Sequence, residues 1–221
     1  MDRNVYSLVL IDEVVEAVDK MAYEKNTSRS NLINQILAEY FSCPTPEMRM
    51  RDIFESVDRL MAGLGSFQIQ FQPSDTMISI RSALRYRYKP TIRYTLELYR
   101  LCGPTLGELR VSARTQSQSL LSILTDFFVF WSALENKYIA SYFPEGKVLC
   151  EVETGRYTRQ FLLPRDESQQ TNENLAAAIS DYIRSFDKNL KLYFSGLDDL
   201  EAAEKAIEEN YSRYVKISEV I

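Results

Sequence analysis

The spacing of apolar residues changes period several times along the chain. Residues 4–10, Asn-Val-Tyr-Ser-Leu-Val-Leu, alternate: Tyr6, Leu8 and Leu10 fall on one side, Val5, Ser7 and Val9 on the other. That period of two is the strand signature. From Ile11 the period becomes helical, with Ile11, Val14, Val15, Val18, Met21 and Ala22 forming one stripe. Asp12 and Glu13 sit in its first turn, where they complement the helix dipole. Asn26-Thr27-Ser28 is turn material that supplies an N-cap for a second helix. That helix carries Leu32, Ile33, Ile36, Leu37, Tyr40 and Phe41 on one side and is ended by Pro44 and Pro46.

This opening unit of one strand and two helices cannot complete itself. The strand has no pairing partner, the apolar stripes are too wide for one thin layer, and a unit this small rarely holds a core unaided. A homodimer resolves both problems: two strands pair antiparallel into a ribbon and four helices bury their stripes together.

The pattern beyond it is that of a larger α+β domain. Residues 46–62 read as a helix with Met50, Ile53, Phe54, Val57, Leu60 and Met61 on one side, closed by Gly63 and Gly65. About four strands follow. Residues 67–72 alternate cleanly; in 77–88, Ile78, Ile80, Leu84, Tyr86 and Tyr88 oppose Arg81, Arg85 and Arg87; further alternation runs over 91–99 and 109–114. An antiparallel sheet with one apolar and one polar face is expected. Residues 117–142 form a helix apolar around much of its circumference, which belongs at the centre of a core. A hairpin over 147–162, turning at Glu153-Thr154-Gly155, a polar loop at 165–173, and helices at about 172–194 and 197–217 complete the reading. The domains expected are 1–43 for dimerisation, 44–66 as a connecting helix, and 67–221 for the α+β domain.

Composition narrows the chemistry. The 221 residues include no histidine, which removes Ser-His-Asp and Cys-His catalysis and imidazole-based metal sites. No phosphate-cradling glycine loop and no catalytic motif is found among only seven glycines. No cofactor, metal or enzymatic activity is therefore expected. Cys43, Cys102 and Cys150 are isolated, which suits free, mostly buried thiols in a reducing cytoplasm. Neither a secretory signal nor an apolar run long enough for a membrane span is present.

The net charge of −5 hides an uneven distribution. Residues 1–42 carry 4 Lys/Arg against 7 Asp/Glu, residues 43–115 carry 11 against 7, and residues 116–221 carry 11 against 17. A basic middle lies between acidic ends. Within it, Arg81, Arg85, Arg87, Lys89, Arg93, Arg110 and Arg114 gather on or near the polar face of the expected sheet. Such a face suits an anionic ligand, RNA or a single strand; equally, it could pack against the acidic helices of the last third.

Residues 4–42 resemble the ribbon-helix-helix family of DNA-binding proteins, the group that includes Arc, MetJ and CopG. The resemblance rests on the strand Val5–Leu10, the helix from Asp12 to about Lys25, and Asn26-Thr27-Ser28-Arg29-Ser30-Asn31-Leu32-Ile33 opening the second helix, and it covers about a fifth of the chain. It implies a ribbon in the major groove whose outward residues, Val5, Ser7 and Val9, meet base edges. It further implies phosphate contacts from Thr27, Ser28 and Arg29 at the second helix start, with Arg3, Asn4 and Lys25 nearby. The outward positions are two valines and a serine where the family usually places polar side chains, so affinity would lean on Arg3, Lys25 and Arg29, doubled by symmetry.

The expectation is a cytoplasmic DNA-binding transcriptional regulator, homodimeric or a higher even oligomer, whose partner is double-stranded DNA and whose α+β domain senses an unknown effector or oligomerises. The alternatives are an assembly protein that uses residues 1–42 only to dimerise, and RNA or single-strand binding by the 81–114 face.

Overall fold

The computed structural model describes residues 7–43, 45–63, 65–71, 76–87, 89–100 and 103–221. The chain divides into two compact units, residues 1–49 and 50–221.

In the first unit, residues 7–11 carry no regular secondary structure, and Val5 and Tyr6 of the expected strand lie outside the described residues. Helices α1 (Asp12–Glu24) and α2 (Arg29–Tyr40) follow. Asn26, with φ 49°, ends α1: its amide bonds Tyr23 O at 3.1 Å and the Thr27 amide bonds Ala22 O at 2.9 Å. This paired closure needs a left-handed residue, a role asparagine tolerates better than most. Ser28 caps α2, its Oγ accepting the Asn31 amide at 3.2 Å. Among the described residues of the unit, the buried apolar side chains are Val18, Ala22 and Leu32, with Ile33 packed against them.

Helix α3 (Pro46–Ala62) starts in the first unit and continues into the second, which further holds β1 (Phe67–Phe71), β2 (Met77–Ala83), β3 (Thr91–Leu98), β4 (Thr105–Ala113), α4 (Gln118–Ile139), β5 (Cys150–Glu153), β6 (Arg156–Leu162), α5 (Asn172–Ser195) and α6 (Leu200–Ile217). The expected connector 44–66 is more than a linker: Met50, Ile53, Phe54, Val57 and Met61 of α3 are built into the core of this unit. The six strands form one antiparallel sheet in the order β1-β2-β3-β4-β6-β5. Four strands were expected from the first run of alternation. The later hairpin joins the same sheet, because β6 pairs along β4 and puts Tyr157 and Phe161 into the common core.

Ile78, Ile80, Ile92, Tyr94, Leu96, Leu109 and Val111 make the apolar face, and α3, α4, α5 and α6 all contribute to the core above it. Trp131 and Phe127 stack with centroids 5.8 Å apart, and both meet Phe186 edge-on. Each fully buried aromatic or large aliphatic side chain contributes roughly 1.5–3 kcal/mol relative to exposure. Side-chain caps from Ser117, Thr171 and Asp199 start α4, α5 and α6. Gly107 lies where β4 shifts register against β6; a Cβ there would come within 2.2 Å of Glu97 O on β3.

Candidate nucleic-acid interface

Two groups of residues carry the expected contacts, one in each unit. In the first, Arg3, Asn4 and Val5 lie outside the described residues. Ser7 and Val9 are exposed, as are Lys25, Ser28 and Arg29, while Thr27 is half-buried. The hydroxyls at the start of α2 serve their own helix: Thr27 Oγ1 accepts from Asn31 Nδ2 at 2.8 Å and Ser28 Oγ caps. Arg29 is engaged by a residue the sequence reading passed over. Its Nε and Nη2 reach the two Asp19 carboxylate oxygens, each at 2.5 Å. The pair is half-exposed, and the Asp19 hydrogen bond raises Arg29 above its ordinary value. Helical spacing could have suggested it, because Asp19 borders the apolar stripe of α1, four residues after Val15 and three before Ala22.

The apolar stripes are where the periodicity put them, but more than half of their residues are exposed. Ile36 is 44%, Leu37 45%, Phe41 65% and Tyr40 81% exposed, and Leu8, Val9, Leu10, Ile11, Val14 and Met21 are exposed as well.

The second group lies on the sheet face away from the helices. Register places Gln68, Arg81, Arg93, Ser112 and Arg156 in one row across β1, β2, β3, β4 and β6, and Met77, Glu97, Glu108 and Gln160 in another. The acidic helices of the last third do not cover this face: they pack on the other one, where Tyr94 Oη donates to Asp187 Oδ1 at 2.9 Å and Lys191 Nζ to Ser82 Oγ at 2.7 Å. The expected strand 77–88 ends at Ala83, so Arg85, Arg87 and Lys89 belong to the turn rather than to the strand face. The turn closes because the Leu84 amide bonds Pro90 O at 2.9 Å and Lys89 takes φ 45°. Leu84 stays buried, which is how the period of two ran on through the turn.

Charge on the face is arranged differently at its two ends. At one, Glu97 and Glu108 stand directly opposite each other, and Arg110 bridges them: Nη2 reaches Glu97 Oε2 and Nε reaches Glu108 Oε1, each at 2.6 Å. Arg110, one of the expected anion-binding residues, is thereby committed. At the other end Arg81 and Arg93 stand opposite each other, and neither is paired with a carboxylate among the described residues. Arg81 is half-exposed, and Arg85, Arg87, Lys89, Arg93 and Arg114 are exposed.

Sequence reading also missed an ion pair inside the core. Glu135 and Arg159 are 0% and 1% exposed, with Nε and Oε1 2.9 Å apart. Tyr157 and Tyr182 donate to Glu135 Oε2, Trp131 Nε1 donates to Tyr182 Oη at 3.2 Å, and Arg159 Nη2 donates to Ile221 O at 2.7 Å. The guanidinium lies 4.5 Å from the Tyr182 ring centroid. Burial raises Glu135, opposed by Arg159 and the phenols. Period alone assigned Arg159 no role, because an inward position on β6 reads as apolar.

Of the cysteines, Cys43 is exposed rather than buried, Cys150 is half-buried with Sγ 3.2 Å from Ser132 Oγ, and Cys102 lies outside the described residues. Among the described residues no helix is long and apolar enough to cross a membrane. No protein-family model, no curated protein and no solved structure matches this chain.

Proposed function

We propose that this chain is a homodimeric DNA-binding transcriptional regulator whose residues 4–42 form a ribbon-helix-helix unit with those of a second copy. The observation that carries this reading is the exposed apolar stripe of α1 and α2, continuous with the unpaired segment 7–11. Two copies meeting across that stripe bury it, and the two segments pair as strands, which closes both deficits with one symmetric contact. The ribbon then offers Val5, Ser7 and Val9 to the major groove, with phosphate contacts from Arg3, Asn4, Lys25 and the amides at the start of α2. The larger unit senses an effector or builds higher even oligomers.

A second reading, dimerisation without DNA, is favoured by one observation: Arg29, the cation best placed beside the α2 start, is held by Asp19. Two measurements separate them. Sedimentation equilibrium should give twice the chain mass, and anisotropy titration with duplexes from around the protein's own promoter should give salt-sensitive binding. A dimer that binds none of these duplexes at about 50 mM salt, where phosphate contacts show most strongly, leaves only the second reading. A monomer removes both.

A further inference from the structure

We propose that the sheet face of the larger unit is a second nucleic-acid surface, which grips the phosphate backbone of a duplex without reading its bases. The inference goes beyond the ribbon reading, because every cation it uses lies between Arg81 and Arg114.

The argument starts from like charges. Directly opposed side chains of one sign destabilise an antiparallel pair. This sheet holds two such pairs on one face. For Glu97 and Glu108 the fold supplies the counterion, Arg110, within 2.6 Å of each. For Arg81 and Arg93 it supplies none. Beside them, Arg85, Arg87 and Lys89 in the β2–β3 turn and Arg114 just past the end of β4 gather at the same end, since Ile92 pairs with Ala113 and Ala83 with Thr91. None of these six cations has an ion-pair or side-chain hydrogen-bond partner among the described residues. Arg156, the next cation in the row, is already held by Glu153 at 2.9 Å. This corner therefore presents six uncommitted cations to solvent, where an anionic partner can reach them.

The chemistry of the face selects the occupant. Five of the six cations are arginines, whose planar guanidinium matches the two free oxygens of a phosphodiester. Gln68, Thr91 and Ser112 interleave further hydrogen-bonding groups. Two tyrosines described beside this corner are turned to the other side of the sheet: Tyr94 is in the core, and Tyr86 is half-buried edge-on against Phe194, with centroids 5.3 Å apart. Phosphates can be gripped here while bases stay stacked in their own helix, which favours a duplex over a single strand.

The test is anisotropy titration of the full chain with a labelled DNA duplex of arbitrary sequence, about 20 base pairs or two helical turns long. Salt is varied from about 50 to 200 mM. Arg85→Ala/Arg87→Ala should weaken binding about tenfold and cut the slope of log K against log salt by about 2 per chain. Both are exposed turn residues, and an unchanged unfolding midpoint shows that the fold survives. Lys188→Ala/Lys205→Ala, the same charge change on α5 and α6, should leave binding at the wild-type level. Equal loss from both double variants, or wild-type binding by the arginine variant, overturns the proposal. Tighter binding of a single strand of the same length overturns the choice of duplex.

Leu37→Glu, which should split the proposed dimer, separates this inference from the ribbon reading. Residual salt-sensitive binding by that variant, abolished by adding Arg85→Ala/Arg87→Ala, supports the sheet face whatever the ribbon does. Complete loss with Leu37→Glu, alongside no effect of the arginine substitutions, keeps the ribbon and removes the sheet.

Discussion

Residues 7–43 and residues 50–221 are patterned alike, with helical stripes of large apolar side chains broken by capped turns. They meet opposite fates within one chain. In the larger unit the stripes of α3, α4 and α5 close over the sheet, and Trp131, Phe127, Phe186 and Tyr182 are fully buried. In the smaller one, Val18, Ala22 and Leu32 are the buried residues of the two stripes, Val15 and Ile33 are half-buried, and the others are exposed. Patterning specifies which side of an element is to be covered, and only a sufficient number of elements can supply the cover. Two helices are too few. Ion pairs repeat the contrast, since Arg159–Glu135 is sealed in the core while Arg29–Asp19 stands half in solvent.

That contrast can be broken or sharpened by experiment. The largest effect is expected from Glu135→Gln, which leaves Arg159 charged in the core and should destabilise the larger unit by about 3–5 kcal/mol in urea unfolding. A change below about 1 kcal/mol would mean that the pair is wetter than its burial indicates. Next comes Leu37→Glu. It should raise the dimer dissociation constant roughly a hundredfold, about 2.8 kcal/mol, while leaving the unfolding midpoint of the larger unit in place. A wild-type dissociation constant would break the comparison outright.

Alkaline pH acts through the larger unit. Burial holds the Tyr94, Tyr157 and Tyr182 phenols well above their usual value. Their contribution is fully present below the unfolded value of about 10 and is lost as pH rises toward the folded values, at about 1.4 kcal/mol per tyrosine per pH unit. The tyrosinate absorbance of these three rings, obtained by difference against single Tyr→Phe variants at each position, should therefore rise together with the loss of circular dichroism. Ionisation that precedes unfolding would mean that these rings are accessible. The smallest effect on stability belongs to Asp19→Asn, which should leave the midpoint unresolved from wild type. It should also free Arg29 and tighten duplex binding, and unchanged affinity would take Arg29 out of the DNA contacts.

Much of the architecture was legible because periodicity reports which side of an element avoids water. The helices at 46–62, 117–142 and 172–194, the hairpin near Gly155, and the α+β class all follow from it. What escaped was decided between elements. The reach of β2 past Ala83 was misjudged because Leu84 is buried from a turn as well as it would be from a strand. The pairing of β6 with β4 was invisible, since alternation names a strand but never its neighbour. Arg159 drew no notice from periodicity, because its partner Glu135 lies 24 residues earlier on α4. Arg110 looked like a free cation until register brought Glu97 and Glu108 within reach of it.

The amino-acid sequence by itself determined the elements, their apolar sides, the absence of any imidazole chemistry, and the excess of apolar surface in the first forty residues, because each of these is local along the chain. Only the tertiary structure decided which charges are spent and which are spare. Ion pairing depends on distances across strands and helices, and those exist only once the sheet has its order and its register.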